Sequence, residues 1–303
     1  MKPVICIGHA ALDYVYRIEA FPPVPTKVRS LEHIESGGGM AANAAAAIAR
    51  LGGAVELWSR TGADAAGERI RAFLKADGVD VRYVKVHEGA RSSTSAVIVD
   101  GKGDRLIVGE RDHAMSMDPT WLPLERIRAA SAVMSDMRWV EGTRAAFAEA
   151  RIRGVCTILD VDLGGGGDLH EFLSLADYAI FSGPALDHFV PGEDDALRLS
   201  RVLEMGVTHA GVTRGPGGYF WAGKAGDTGH QPAFDLEVVD TTGAGDAFHG
   251  AFAWALAEGR PIPECARIAA AVSALKCRRL GARSGLPTRA ELDSFLCQQK
   301  FQQ

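Results

Sequence analysis

The segment VVDTTGAGDAFHG (residues 238–250) gives the strongest indication of the fold. The segment DLEVVD (235–240) is predicted to be a strand, small residues then form a turn, and a helix begins at about Gly245. Small residues let backbone N–H groups approach a ligand closely, and a helix N-terminus carries about half a positive charge. The strand–turn–helix order therefore predicts an anion site at the end of a strand.

Strand and helix patterns alternate outward from this stretch through most of the chain. The run PVICIG (3–8) and the segment AVELWS (54–59) are typical of buried strands, and AANAAAAIARL (41–51) is typical of a helix. Such repeats predict an α/β fold with a mostly parallel central sheet and helices on both faces. Two hairpin-like segments, residues 13–35 and 93–110, do not fit this pattern. We expect them to form a small β-sheet lid on a single domain spanning residues 1–303.

Composition excludes several classes of partner. The 303 residues include 33 Lys and Arg against 38 Asp and Glu, a net charge of −5, so we expect no nucleic-acid or membrane partner. No stretch approaches the ~20 apolar residues of a membrane span. The five cysteines are scattered without a metal-site or disulfide pattern, and no signal peptide is indicated. These features predict a cytoplasmic protein.

Asp246 is an unusual residue to find beside an anion site. Two unit charges 4 Å apart repel by about 4 kcal/mol at an effective dielectric constant of ~20, so a passive phosphate site disfavours a carboxylate. A carboxylate is useful there if it removes a proton from a hydroxyl group that then attacks phosphorus. The alternative is a first-turn acid that is simply favoured by the helix dipole.

A second glycine-rich helix start, SGGGMAAN (36–43), lies near the N-terminus. Its glycines allow a sharp turn and close backbone contact with a ligand. Asn43 offers both a hydrogen-bond donor and an acceptor, which suits sugar hydroxyl groups. A purely structural helix start remains the alternative.

Together these motifs resemble the ribokinase-like (PfkB) family of sugar kinases. DTTGAGDAFHGAF (240–252) is similar to the C-terminal motif of that family, and SGGGMAAN with the early Asp13 is similar to its sugar site. The resemblance implies a ribokinase-like fold and transfer of phosphate from ATP with Mg²⁺. It assigns these roles: catalytic base, Asp246; anion hole, Gly243, Ala244 and Gly245; sugar binding, Asp13, Gly38, Gly39 and Asn43.

Three further segments bear on the nucleotide and on metal ions. TRGPGG (213–218) resembles the nucleotide loop of the family, which implies that Thr213, Gly215 and Gly218 bind ATP, although an ordinary turn is the alternative. Asp240 and Thr242 resemble part of a monovalent-cation site, which leaves the use of K⁺ open. SGPA (182–185) lacks the N-x-x-E motif that often organises Mg²⁺ in the family. Asp160 and Asp162 are candidate substitutes, and a structural role at a strand end is equally open for them.

Several segments, among them SDMRW (135–139) and ALKCRRLG (274–281), look closer to the bacterial 6-deoxy-6-sulfofructose kinases. In that branch a lid Lys, an Arg after a mid-chain strand and a lid Asn hold the sulfonate. Lys27 and Arg138 match the first two, whereas Gly109 stands at the Asn position and is followed by Glu110 and Arg111. The alternatives are an ion pair between Arg138 and Asp136, and a solvated Lys27.

We therefore expect a kinase that phosphorylates a primary hydroxyl of a ketose-like sugar with an anionic far end. Ribose, fructose and 2-keto-3-deoxy sugar acids remain open as substrates, as does a non-catalytic sugar or nucleotide sensor. A nicotinamide oxidoreductase is disfavoured because no G-x-G-x-x-G follows the first strand. His249 lies one helical turn after Asp246, so contact with the base and a core position are both open. A homodimer that pairs through lid strands is also expected.

Overall fold

The structure, a computed structural model, describes residues 2–300 and contains two β-sheets. The strands are β1 (Val4–Ile7), β2 (Ala11–Arg17), β3 (Glu32–Gly38), β4 (Val55–Gly62), β5 (Val84–His87), β6 (Ser93–Val99), β7 (Arg105–Glu110), β8 (Ala132–Ser135), β9 (Cys156–Val161), β10 (Tyr178–Ser182), β11 (His209–Thr213), β12 (Tyr219–Gly223) and β13 (Thr228–Gln231). The helices are α1 (Met40–Arg50), α2 (Ala65–Ala76), α3 (Val140–Arg153), α4 (Leu169–Leu175), α5 (Gly183–Phe189), α6 (Asp195–Glu204), α7 (Ala244–Ala257), α8 (Ile262–Lys276) and α9 (Arg289–Lys300).

The large sheet has the strand order β13-β12-β11-β10-β9-β8-β1-β4-β5. The strands from β11 to β5 in this order are parallel, and β12 and β13 add an antiparallel edge. The predicted mostly parallel α/β fold is confirmed. Parallel strands have their carboxyl ends at one edge of the sheet, so the loops that follow β1, β8, β9, β10 and β11 meet there.

Helices cover both faces because the strand residues alternate between two cores. In β1, Val4 and Cys6 pack with the alanine-rich helices α1, α7 and α8, whereas Ile5 and Ile7 pack with residues of α3 to α6. Glycine and alanine let α1 and α7 approach closely: a Cβ on Gly250 would clash with the Ala44 backbone. This close approach brings the first turns of α1 and α7 together.

The small sheet has the order β3-β2-β6-β7, which confirms the predicted lid sheet of the fold class. Its β2–β3 and β6–β7 pairs are antiparallel, and β2 lies parallel to β6. Val15, Val97 and Val99 pack on Leu280, so the underside of this sheet is held by the segment that follows α8. Strand β7 is exposed along its whole length.

The predicted strand DLEVVD (235–240) is wrong. Residues 232–239 pair with no strand, and the N–H groups of Val239 and Asp240 donate to the Cys277 carbonyl at 2.8 and 3.1 Å. The polypeptide is held here by the C-terminal end of α8, which supplies the acceptor that a neighbouring strand would otherwise provide. Helix α7 begins at Ala244, one residue before the predicted start. None of the helices within residues 2–300 is long and apolar enough to span a membrane.

Candidate active site

The carboxyl edge of the large sheet is organised by Asp136, which follows β8. Its buried carboxylate accepts hydrogen bonds from the N–H groups of His9 at 2.8 Å, Ala41 at 2.9 Å and Arg138 at 2.9 Å. These bonds join the end of β1, the start of α1 and the end of β8. The sequence suggested Asp136 only as an ion-pair partner of Arg138, yet Arg138 contacts it through the backbone.

Asp246 lies in the first turn of α7, and its Oδ2 accepts a hydrogen bond from Asn43 Nδ2 at 2.7 Å. Burial raises the pKa of Asp246 to about 6, the charges of Asp162, Asp136 and Asp13 act in the same direction, and the Asn43 hydrogen bond opposes them. A carboxyl group with this pKa can accept a proton near neutral pH. The structure thus brings together the two residues that the sequence placed at the centre of the site.

Arg283 completes this network and was missed at the sequence level. Its buried guanidinium donates from Nε to Asn43 Oδ1 at 2.7 Å and from Nη2 to the Gly38 carbonyl at 3.0 Å. Its Nη1 lies 3.4 Å from Asp77 Oδ2. Because an arginine only donates, it fixes the Asn43 amide with its oxygen towards Arg283 and its nitrogen towards Asp246. No local sequence pattern marks Arg283.

Asp13 lies on β2 opposite Ser36 and is 6% exposed. Burial raises its pKa to about 6, whereas a hydrogen bond with Ser95 and the charge of Arg283 lower it. A Cβ on Gly38 would clash with the Asp13 carboxyl group, so glycine lets the carboxylate lie against the backbone.

Gly39 caps α1 with φ +88°, where a Cβ would clash with the His9 carbonyl. Glycine at this position therefore permits the close approach of α1 to the end of β1. The Gly39 carbonyl accepts from the Asn43 N–H at 2.8 Å, and Gly38 lies against Asp13, so the four residues predicted to bind sugar are neighbours.

The turn before α7 presents backbone donors. Gly243 caps the helix with φ +74°, and a Cβ there would lie 2.8 Å from the Ala282 Cβ. The Ala244 N–H donates to the Thr241 carbonyl at 3.1 Å. The N–H groups of Gly243 and Gly245 have no acceptor within residues 2–300, and a Cβ on Gly245 would meet open space. Two of the three predicted anion-hole residues therefore have N–H groups free for a ligand.

The TRGPGG loop lies at the same edge, where β11 ends at Thr213. Gly215 has φ +53° and Gly218 has φ +86°, and a Cβ on Gly218 would clash with the Gln231 backbone. Arg214 anchors the loop: its Nε donates to Asp195 at 2.8 Å and its Nη2 to Asp187 at 2.9 Å. These contacts fix the position of the glycine turn beside the end of β10.

Two carboxylates lie at the C-terminal end of β9: Asp160 is in the strand, and Asp162 directly follows it. Asp160 is buried, with no partner for Oδ2 in the described part of the chain, and Asp162 accepts from the Ser182 hydroxyl at 2.7 Å. Burial raises the pKa of Asp160 well above its ordinary value, and the Asp246 charge adds to the effect. His249 contacts the Gly245 carbonyl at 2.7 Å and lies 3.4 Å from Asp160, so its ring belongs to the core behind the base. Burial lowers its pKa.

Three arginines, Arg60, Arg111 and Arg138, lie close enough to His9 for their charges to act on its imidazole, and we call these four residues the cationic cluster. Burial, followed by the charges of Arg111, Arg138 and Arg60, lowers the pKa of His9 to about 3. Arg138 donates to the Leu163 carbonyl at 2.6 Å and to the Gly164 carbonyl, and lies 3.8 Å from Asp162.

Two atoms of this cluster lack a partner. Arg60 donates from Nη1 to the Ser116 carbonyl at 2.7 Å, while Arg60 Nε and His9 Nε2 are buried without an acceptor or donor in residues 2–300. Only Arg138 had been predicted as a site residue, and Arg111 had been noted beside the lid hairpin. His9 and Arg60 carried no motif.

The structure does not bring Lys27 into this cluster through any contact. Lys27 is exposed in the loop between β2 and β3, and it makes no hydrogen bond or ion pair within residues 2–300. Glu110, the acid that accompanies Gly109, forms an exposed ion pair with Arg91 at 2.5 Å. The negative charge of Glu110 is therefore partly offset outside the cluster.

Comparison with known proteins agrees with this arrangement of motifs. The pfkB family carbohydrate kinases match residues 1–289. The chain belongs to this family. It is 29% identical to the ribokinase of Bacillus subtilis over 307 residues, which covers 98% of this chain and all of the relative.

Solved structures give the same result. A candidate ribokinase from Agrobacterium tumefaciens superposes with a TM-score of 0.94 at 35% identity, covering 99% of both chains. Arabidopsis thaliana ribokinase, solved with ribose and ATP, superposes with a TM-score of 0.84 at 27% identity, covering 97% of this chain and 98% of the other. The protein is an ATP-dependent sugar kinase with the ribokinase-like fold. These relatives do not show a particular closeness to 6-deoxy-6-sulfofructose kinases.

Proposed function

We propose that this pfkB family kinase phosphorylates a primary hydroxyl of a ketose-like sugar that has an anionic group at its far end. Asp13, Gly38, Gly39 and Asn43 bind the hydroxyl groups, and Thr213, Gly215 and Gly218 form the nucleotide loop. Residues 1–303 act as one kinase domain, with a lid formed by segments 13–35 and 93–110.

In the proposed reaction Asp246 removes the proton of the sugar hydroxyl. The hydroxyl oxygen forms a bond to the γ-phosphorus of ATP, the bond from that phosphorus to the β,γ-bridging oxygen breaks, and ADP leaves. The free N–H groups of Gly243 and Gly245 stabilise the negative charge on the transferred phosphoryl oxygens. The pKa of about 6 keeps Asp246 ionised and still basic at neutral pH.

The carboxylates of Asp160 and Asp162 fit a magnesium ion that keeps most of its water ligands. The orphaned Oδ2 of Asp160 is the observation that supports this, because a buried carboxylate oxygen without a partner is costly. When bound, Mg²⁺ offsets the negative charge of the nucleotide phosphates. Ser182, in the place of the missing N-x-x-E motif, orients Asp162 through its hydroxyl group.

The observation that carries the anionic substrate is the cluster around His9. The charges of three guanidinium groups act on one buried imidazole, and an anionic substrate group would add to the partial offset that Asp136 gives Arg60 and Arg111. The nearest buried carboxylate, Asp136, already accepts three backbone hydrogen bonds. A sulfonate, carboxylate or phosphate on the substrate would satisfy Arg60 Nε and His9 Nε2. We propose that Lys27, in the lid loop between β2 and β3, also contacts this anionic group when the lid closes.

Ribose is the second candidate substrate, because the chain resembles ribokinases over almost its full length. A neutral sugar would leave the arginine cluster unused. Fructose is neutral, as ribose is. The 2-keto-3-deoxy sugar acids carry a carboxylate and so belong with the anionic candidates.

The test is an ADP-release assay with Mg-ATP and a panel of ribose, fructose, 6-deoxy-6-sulfofructose and 2-keto-3-deoxygluconate. We expect an anionic sugar to be the best substrate, and we expect Asp246→Asn to lower its turnover by about 10²–10⁴-fold. Near-normal turnover of Asp246→Asn would exclude the proposed base. The absence of ADP release with every sugar, while ATP still binds, would favour the non-catalytic sensor.

Arginine variants test the far end of the substrate. A hydrogen bond to a charged group contributes about 1.5–3 kcal/mol, so Arg60→Met and Arg138→Met should each raise the KM of the anionic sugar by about 10–150-fold. The KM for ribose should change little. Arg153→Met, on the exposed surface of α3, is the matched control. Equal effects of Arg138→Met on neutral and anionic sugars would contradict the proposed anion site.

A further inference from the structure

Lys276 is a buried cation directly beneath the anion-hole turn. It is the last residue of α8 and is 0% exposed. Its ammonium group donates to the Asp240 carbonyl at 2.7 Å, and no carboxylate within residues 2–300 forms an ion pair with it. A buried ammonium without a carboxylate partner is costly, so its position requires an explanation.

Asp240 is one of the two residues that resemble a monovalent-cation site, and each of its three oxygens accepts a hydrogen bond. Its Oδ1 accepts from the Thr242 N–H at 2.8 Å and its Oδ2 from the Gly281 N–H at 2.7 Å. The Asp240 carbonyl is bound by Lys276, whereas Thr242 Oγ1 is buried without a partner in residues 2–300. A K⁺ ion bound at the Asp240 carbonyl would lie close to the Lys276 ammonium, and the two positive charges would repel each other.

Two features of the surroundings of Lys276 oppose the effect of burial, which disfavours its positive charge. Its ammonium lies at the C-terminal end of α8, where the helix dipole favours a cation. Burial lowers its pKa, and the charges of Asp240 and Asp246 oppose this shift. The carbonyl that it binds lies three residues before Gly243. A positive charge here both holds the turn and favours negative charge in the anion hole.

We propose that the Lys276 ammonium is a built-in monovalent cation that positions the 240–243 turn, so that phosphoryl transfer needs no added K⁺ or Na⁺. This inference rests on the anion hole proposed above. Lys276 touches neither substrate, and it acts as a positioning residue through the Asp240 carbonyl.

The first experiment uses the wild-type protein. Turnover of the best sugar is measured with Mg-ATP in KCl, NaCl and tetramethylammonium chloride at equal ionic strength, after exhaustive exchange of the buffer. We expect the three rates to agree within about twofold, because the Lys276 ammonium already occupies the place of the cation and an added ion would not change the active conformation. Activation by K⁺ of tenfold or more over tetramethylammonium would overturn the proposal. This result does not depend on any variant folding.

The second experiment asks whether Lys276→Met creates a need for a cation. Its turnover in tetramethylammonium should fall at least tenfold and should recover in part with K⁺ or methylammonium. Its melting temperature should rise in K⁺, whereas that of the wild type should not. Lys224→Met is the matched control, because Lys224 also donates to a carbonyl, that of Gly206 at 3.0 Å, on the exposed surface. Wild-type turnover of Lys276→Met in tetramethylammonium would overturn the proposal.

The two proposals fail in different ways. If Asp246→Asn is active, the assigned base is wrong, and cation independence of the wild type still stands. If the wild type requires K⁺ while Asp246→Asn is inactive, the base stands and the role of Lys276 is wrong.

Discussion

The Asn43–Asp246 hydrogen bond makes a quantitative prediction about the pH dependence of the enzyme. Asp246 works as a base only when it is ionised, so activity is lost as the pH falls through its pKa of about 6. Asn43 Nδ2 donates to the ionised carboxylate at 2.7 Å and favours that form. Asn43→Ala removes this donor, so the pKa of Asp246 must rise.

The size of the shift follows from the energy of the bond. A hydrogen bond to a charged group contributes about 1.5–3 kcal/mol, and one pKa unit corresponds to about 1.4 kcal/mol, so the pKa should rise by about 1–2 units. The acidic limb of kcat/KM should move from near pH 6 to about pH 7–8. At pH 6.5 the variant should lose much more activity than at pH 9.

The assay is kcat/KM between pH 5 and 9 for the wild type, Asn43→Ala and Asp13→Asn. Both variants remove a proposed sugar contact, so the KM should rise in both. The direction of the pH shift distinguishes the two variants. The Asp13 charge raises the pKa of Asp246, so Asp13→Asn should move the acidic limb of kcat/KM to lower pH or leave it in place. If the limb of Asn43→Ala stays near pH 6, the hydrogen bond does not tune the base and the argument is refuted.

Three other outcomes are expected. The pKa of Asp13 is raised to about 6 in the folded protein. The protonated side chain therefore stabilises the folded state at pH values below the ordinary pKa of an aspartate, and this stabilisation is lost as the pH rises through 6. In urea unfolding Asp13→Asn should be more stable than the wild type at pH 7.5, by up to about 3 kcal/mol, and equally stable near pH 4; a constant difference would contradict this. Gly243→Ala should cost about 1–2 kcal/mol because φ is positive, whereas Gly245→Ala should keep its melting temperature and lose turnover, since its Cβ enters the open space of the anion hole. We further propose that β7, with exposed Leu106, Ile107 and Val108, pairs with a second copy of the chain; light scattering should show a dimer that Ile107→Lys dissociates, and a monomeric wild type would exclude it.

The fold was predictable because it follows from local sequence patterns, and the same patterns indicated Asn43 and Asp246, which the structure places in hydrogen-bond contact. Alternating strand and helix segments specify a parallel sheet, and the carboxyl edge of such a sheet is where ligands bind. Asp246 and Asn43 each lie in a motif of small residues at the start of a helix. Their side-chain chemistry and their positions in these motifs therefore indicated both as candidate site residues. The strand predicted for 235–240 failed because apolar alternation cannot distinguish a paired strand from an extended segment held by a helix end.

The residues that sequence reasoning missed have partners far away in the chain. Arg283 contacts Asn43 across 240 positions, and Lys276 reaches Asp240 across 36. The side chain of His9 becomes informative only when strand β4, which carries Arg60, and the segments that carry Arg111 and Arg138 are placed near it. A charged residue in a helix end or a loop is usually solvated, so only the three-dimensional structure distinguishes these buried groups from ordinary surface charges.

The segment that follows α8 explains how the two halves of the site act as one. Its Gly281 N–H holds the Asp240 carboxylate at the phosphoryl end, and its Arg283 holds Asn43 at the sugar end. Leu280, which precedes both residues, packs under the lid sheet. A shift of this segment would therefore displace the anion hole, the amide that tunes the base and the lid together. Closure of the lid over a sugar can in this way be coupled to the alignment of Asp246 with the anion hole, because all three depend on four consecutive residues.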